Sequence, residues 1–200
     1  MNYTGPKVRI SRKLGLEITQ KAHKITAKKG YPPGQHGATK RRGKQSDYGR
    51  QLLEKQRLRM QYNVSERQMR NYFKKAAQSI GNTGDILVQL LESRLDSVIV
   101  RSGIARSIYS ARQMVTHGHI NVNGKRLNIP SYQVQNNDLL TIKPKLKKNE
   151  AIQDSIRSAA PPPYLEISKA DFSVKYLYVP PREEIPAICD VPLVVEFYSR

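Results

Sequence analysis

A chain of 200 residues is long enough for one or two domains with real apolar cores. It carries 35 Lys and Arg against 16 Asp and Glu, a net charge of +19. That excess repels itself in an isolated compact protein and points to a polyanionic partner, most commonly nucleic acid. The single cysteine, Cys189, excludes an internal disulfide, and no apolar run reaches the 18 residues of a membrane span.

The charge is unevenly placed. Residues 1–60 hold 16 basic and 3 acidic side chains, residues 61–149 hold 14 and 5, and residues 150–200 hold 5 and 8. The amino-terminal third is therefore the main electrostatic footprint, and the last quarter is suited to packing or to a protein neighbour.

The opening MNYTGPKVRIS lacks the apolar region of a secretory signal. Gly5-Pro6 and the want of a clear amphipathic helix speak against a cleaved targeting peptide. Residues 1–45 read as an extended basic arm ordered by what it binds. The stretch GYPPGQHG, Gly30 to Gly37, must be turn or loop. The basic run Lys40, Arg41, Arg42 and Lys44 follows.

A helical block comes next. Asp47 to Gln61 is predicted as a basic helix with Leu52, Leu53 and Met60 inward and Arg50, Arg57 and Arg59 outward. Ser65-Glu66-Arg67-Gln68 is a capping-box pattern opening a second helix, in which Met69, Tyr72, Phe73, Ala76, Ala77 and Ile80 share one face and after which Gly81 follows. Tyr72 and Phe73 read as core rather than base-stacking residues. Thr83 is placed to cap a third helix carrying Ile86, Leu87, Leu90 and Leu91. Three short helices with complementary stripes imply a small bundle.

Residues 94–142 hold the densest pattern. Leu91, Leu95, Val98 and Ile99 recur at helical spacing, and Gly103 supplies the stop. Ser107 is placed to cap the next helix, with Ile108, Ala111, Met114 and Val115 inward and Gly118 at its end. Ile120 and Val122 then alternate into Asn123-Gly124, a type I′ hairpin signal. Arg94 and Arg101, two turns apart on one side of the first helix, together with Arg112 and Gln113, are expected on the outside. The result is an αα-β platform rimmed by Arg, Gln, His and Asn. A solvated helix face is the bland reading of those arginines; the whole-chain charge favours a folded phosphate backbone.

Lys143 to Lys148 (KPKLKK) is a basic connector, Ala151 to Ala159 a short helix, and Pro161-Pro162-Pro163 a stiff spacer. Strands are predicted at Leu165 to Ile167, Val174 to Val179 and Leu193 to Phe197. The expected fold class is α+β: a basic arm (1–45), a helical domain (46–91) closed by residues 160–200, an inserted αα-β RNA-binding module (92–148) and a linker (149–163).

Candidate RNA contacts follow from charge and position. In the arm they are Lys7, Arg9, Arg12, Lys13, Gln35, His36, Lys40, Arg41, Arg42 and Lys44. In the helical block they are Arg50, Lys55, Arg57, Arg59, Arg67 and Arg70. In the module they are Arg94, Arg101, Arg106, Ser107, Arg112, Gln113, His117, His119, Asn121, Asn123 and Lys125. No catalytic residue is expected, because nucleophile elbow, phosphate-binding glycine loop and paired carboxylates are all missing and no room remains for a catalytic domain.

Along nearly its whole length the chain resembles the bacterial-type small-subunit ribosomal protein S-four family. The resemblance is carried in order by Tyr3-Thr4-Gly5-Pro6-Lys7, Pro33-Gly34-Gln35-His36-Gly37, Ser46-Asp47-Tyr48, Glu54-Lys55-Gln56, Glu66-Arg67-Gln68, Gly81 to Gly84 and Glu92 to Asp96. It continues through Ala111-Arg112-Gln113, His117 to Asn123-Gly124, Pro130-Ser131-Tyr132 and the ending Val194 to Arg200. The resemblance implies a structural protein of the small ribosomal subunit that binds 16S-type rRNA at a five-helix junction and nucleates assembly of the subunit body. It also implies contact with ribosomal protein S-five at an interface that influences decoding, and, with S-three and S-five, a ring around the pore where mRNA enters. The run Lys40, Arg41, Arg42 and Lys44 matches that pore-facing region. A free RNA-binding translational regulator is the alternative.

Many family members hold zinc with four cysteines in the arm, and this arm has none. The four histidines, His23, His36, His117 and His119, offer no four-ligand spacing, so no zinc is expected, and Mg²⁺ only through the RNA. The implied location is the ribosome in a bacterial cytoplasm or an organelle interior such as plastid stroma, away from membranes.

Overall fold

The computed structural model describes residues 3–39 and 45–200. Lys40, Arg41, Arg42 and Lys44 lie outside the described residues. The helices are α1 (Lys7–Leu14), α2 (Gln20–Lys28), α3 (Asp47–Gln61), α4 (Glu66–Gln78), α5 (Thr83–Glu92), α6 (Leu95–Arg101), α7 (Ile108–Thr116), α8 (Pro144–Lys147), α9 (Glu150–Arg157) and α10 (Val191–Ser199). The strands are β1 (Ile120–Val122), β2 (Lys125–Leu127), β3 (Leu139–Ile142), β4 (Leu165–Ser168) and β5 (Ser173–Tyr176). The class is α+β. The chain divides into two units, one of Met1–Leu87 with Ala187–Arg200, the other of Val88–Pro186.

In the first unit the arm is not extended. Pro6 precedes α1, Gly15 ends it in the left-handed conformation, and the Thr19 side chain caps α2. Leu14, Leu16 and Ala22 are buried. The apolar residues between the lysines are few, but Leu14 at the end of α1, Leu16 after it and Ala22 of α2 are buried where α1 packs on α2 and meets α3. Arg57 ties the two by donating from Nε to the Leu14 carbonyl at 2.9 Å. Arg12 reaches across to the Tyr31 and Pro32 carbonyls and lies 4.8 Å from the Tyr31 ring centre, which pins the glycine-rich loop to α1.

The helix α3 has the predicted bounds, and Ser65 with Gln68 forms the predicted capping box of α4. The inward face of α3 differs from expectation. It is Leu58 with Gln51, Glu54 and Lys55, whereas Leu52, Leu53 and Met60 are half-buried. The cap at α5 is Asn82, whose Oδ1 accepts from Gly84 N at 2.9 Å, rather than Thr83.

The reason for the polar inner face is α10. Its sequence, VPLVVEFYS, was expected to contain a strand at Leu193 to Phe197 because it is rich in β-branched residues. Pro192 in the first turn instead starts a helix, and Val191 and Val194, three apart, are the buried pair. The helix packs along α3. Gln51 donates to Glu196 at 2.9 Å, Asp190 N donates to Glu54 at 3.0 Å, and Tyr198 donates to Glu66 at 2.8 Å. Lys55, 5 % exposed, meets Glu66 at 3.0 Å and lies 4.6 Å from the Phe197 ring centre.

The second unit is built on a five-stranded antiparallel sheet of order β2-β1-β3-β5-β4. The expected module ended at residue 148, with residues 160–200 closing the helical domain. That assignment is corrected for residues 165–176, because β5 pairs with β3 of the module and β4 with β5. The supposed linker contains α9, whose Ile156 is buried in the same core as Leu95, Val98, Ile99, Val115, Leu140 and Tyr164. The Asn123-Gly124 turn has φ of 49° and 78°, as a type I′ hairpin requires.

The start of α6 is held by charge. Arg94 is 0 % exposed and donates from Nε and Nη2 to the two Asp96 oxygens at 3.0 and 2.8 Å. Arg112 of α7 approaches the same carboxylate at 3.5 Å. The loop after the hairpin docks here, Tyr132 and Pro130 carbonyls accepting from Leu95 N and Asp96 N, and Val134 N donating to the Ser93 carbonyl. Beside it Glu92 accepts from Arg101 and from Tyr164 OH at 2.7 Å; burial, and then this carboxylate, push the Tyr164 phenol far up.

Two outcomes follow. Arg94→Met leaves the Asp96 charge buried with its bidentate partner removed, so urea unfolding of the second unit should show a loss of about 3–5 kcal/mol. A Lys125→Met control on the exposed hairpin should stay within about 0.5 kcal/mol. In the first unit, burial works to raise the Glu66 carboxyl, but the bonds from Lys55 and Tyr198 and the charges of Lys55 and Arg59 outweigh it and hold the group below its ordinary 4.5. A depressed carboxylate contributes stability that is present above its unfolded value and lost as pH falls through its folded value. Thermal unfolding followed from pH 7 downward should therefore show a shallower acid loss in Glu66→Gln than in the parent chain.

Candidate nucleic-acid interface

The candidate contacts fall into three groups once burial and partners are known. Lys55 and Arg94 are buried, and both are held by carboxylates. Arg57, Arg59, Arg101 and Arg112 are half-buried and paired with Glu54, Glu66, Glu92 and Asp96 respectively. The expectation that Arg94, Arg101 and Arg112 face outward is therefore corrected. Helical spacing places them on one side, but Asp96 and Glu92 are close enough to turn that side inward.

Asn123 is also committed to the fold. Its amide donates to Asp138 at 2.8 Å and its oxygen accepts from Leu139 N at 2.9 Å, which locks the hairpin onto β3. Arg50 is exposed and pairs with Asp47, and Arg70 lies 3.8 Å from Glu66. Arg12, half-buried, holds the Tyr31 loop.

The third group faces solvent. In the first unit it comprises Arg9, Lys13, Gln35, His36 and Arg67, with Lys7 half-buried on the same helix as Arg9 and Lys13. In the second it comprises Arg106, Gln113, His117 and Lys125, with Ser107, His119 and Asn121 half-buried. Ser107 caps α7 by accepting from Ser110 N.

Sequence reasoning missed Arg126, Lys143 and Lys145 as contacts. Arg126 and Lys145 are exposed and Lys143 is half-buried. Arg126 lies across the end of α7, above Gly118. That glycine has φ of 67°, and a Cβ there would sit 2.2 Å from Arg126 Nε. Lys143 N donates to the His119 carbonyl, which anchors the basic connector beside β1. The KPKLKK run itself was the signal, and it is read from sequence only as a basic connector at the end of the module. Burial and then the charges of His117, Lys143, Arg126 and Lys145 push the His119 imidazole below its ordinary value. One rim of the second unit, from α7 through the hairpin to α8, is thus a focus of positive potential with amide and hydroxyl groups interleaved. Such a surface binds phosphate backbone by charge and leaves donors for bases and 2′-hydroxyls.

Among the described residues, no three His, Cys, Asp or Glu side chains converge where they could hold a metal ion.

The sequence comparisons agree with this division. The ribosomal protein S4/S9 N-terminal domain matches residues 2–92 and the S4 domain matches residues 93–140. The small ribosomal subunit protein uS4 of Roseiflexus castenholzii is 45% identical over 203 residues, 99% of this chain and 98% of its own length. The protein of that name from Streptomyces avermitilis is 45% identical over 204 residues, 100% and 99% of the two chains. That from Parabacteroides distasonis is 46% identical over 200 residues, 99% and 98%. Near-half identity carried end to end, on a fold whose second unit presents a cationic rim, establishes that the chain belongs to the small-subunit ribosomal protein uS4 family.

Proposed function

We propose that this protein is a structural, non-enzymatic component of the small ribosomal subunit that binds rRNA directly. The observation that carries the reading is the sorting of cations: several with carboxylate partners are drawn into the interior of each unit, while others stand exposed, among them Arg9 and Lys13 on α1 and Lys125, Arg126 and Lys145 on the hairpin–α8 rim. Membership of the family gives that charged surface its ligand, rRNA. A free translational regulator is not favoured, because the relatives that match over their full length are named as subunit proteins.

The finer assignments rest on the family resemblance. They are early binding to 16S-type rRNA at a five-helix junction, contact with ribosomal proteins S-five and S-three, and a share in the pore where mRNA enters. Glu183, Glu184 and Asp190 lie in the acidic last quarter of the chain, the part least suited to phosphate, and are candidate contacts for a protein neighbour with a bearing on decoding. The site functions without zinc, and the location is a bacterial cytoplasm or an organelle interior.

Filter binding to a small-subunit rRNA 5′-domain transcript tests the reading. Log K should fall steeply and linearly with log salt. Arg126→Gln and Lys145→Gln should each cost roughly 1.5–3 kcal/mol and make the slope shallower by about one unit. Salt-independent binding, or full affinity in both variants, would remove the rim from the interface. Metal analysis of the purified protein should find no stoichiometric zinc, and one zinc per chain would overturn that assignment.

A further inference from the structure

Within the second unit a groove of about 350 Å³ runs between α7 and the α8–α9 segment. Its floor is apolar: Ile104, Met114, Leu146 and Ile152. Met114, Leu146 and Ile152 also pack against the core below, so the floor is fixed rather than loose. One side is Arg106. Its Nε donates to Ser155 Oγ at 2.8 Å and its Nη2 to the Ala151 carbonyl at 3.2 Å, which uses two of its five donors and holds the guanidinium plane in place. One end is the His117–His119 pair, with ring centres 5.8 Å apart, in the field of Lys143, Arg126 and Lys145. Gln113 and Asn149 add amide groups at the rim.

We propose that this groove takes one unstacked nucleotide of the bound RNA, base over Met114 and Ile152, phosphate toward His117 and His119. This rests on the rRNA-binding reading above. The volume lies at the lower end of the range for small-molecule sites, about 300–1,000 Å³, which suits one nucleotide and not a length of duplex. The charge is complementary: an apolar floor ending in two imidazoles under the positive field of Lys143, Arg126 and Lys145 matches a flat base joined to a phosphate, whereas an apolar protein side chain would leave that field unmatched. A thioether and a fixed guanidinium plane are both good neighbours for a base. Sequence-specific RNA recognition commonly works through bases splayed out of the helix, and a side chain pocket on a backbone-binding surface is the means of reading one.

The full-length protein bound to 4-thiouridine-substituted 5′-domain transcript provides the test. After irradiation, peptide mapping should place a crosslink on residues 104–119 or 146–155, at one nucleotide. Ala151→Trp fills the groove from the exposed first turn of α9 without removing a cation. It should abolish that crosslink and weaken binding about tenfold, while leaving the salt slope of the parent chain unchanged, because no charge is removed. Crosslinks confined to other segments, or Ala151→Trp affinity within twofold of the parent, would overturn the nucleotide site while the steep salt dependence kept the rRNA reading intact. Loss of salt-dependent binding in the parent chain would instead sink both. Should Ala151→Trp fail to fold by circular dichroism, the crosslink position in the parent chain decides alone.

Discussion

Carboxylates are the scarce group in this chain, 16 among 35 cations, and the interior of both units depends on where they sit. Asp96 and Glu92 are fully buried: Asp96 faces Arg94 and Arg112 and so ties the start of α6 to α7, while Glu92 faces Arg101 and, 72 residues on, Tyr164. Glu66 and Glu54 do the same for α3, α4 and α10 through Lys55, Arg57, Tyr198 and the Asp190 amide. A buried charge without its partner is costly, so these pairs fix geometry even where they add little net stability.

The pairing has a second effect. Each cation drawn inward by a carboxylate is withdrawn from the surface, which leaves the exposed ones to meet a polyanion. On the second unit the exposed cations include Arg106, Lys125, Arg126 and Lys145, on loop, strand and short-helix elements of a unit built on a five-stranded sheet. Rigid placement of such charges is what distinguishes recognition of a folded RNA from indifferent attraction to polyanions.

Local signals were legible in the sequence and long-range ones were not. The bounds of α3, the Ser65 capping box, the Ser107 cap and the Asn123-Gly124 turn all arise from interactions spanning at most a few residues. The joining of β5 to β3 crosses more than thirty residues, and nothing in either strand names its partner. The ending was misread because Val and Phe favour strands intrinsically, while Pro192 and a 3-residue spacing of buried valines decided for helix. The arm was read as extended because its lysines dominate its composition, although Leu14, Leu16 and Ala22 suffice once α1 packs on α2 and meets α3. As for the site, charge identified the right neighbourhoods, but periodicity alone cannot tell an outward arginine from one that faces a buried carboxylate; Asp96, two residues from Arg94, was the available clue.

The central claim is that cations are divided between the interior and the RNA. Lysine-reactive footprinting of the protein, free and bound to the 5′-domain transcript, measures this division directly. The account predicts that Lys125 and Lys145 react in the free protein and are protected on RNA, and that Lys55 is unreactive in both states. Unchanged reactivity of Lys125 and Lys145 on RNA, or a Lys55 that reacts as readily as they do in the free protein, would contradict it.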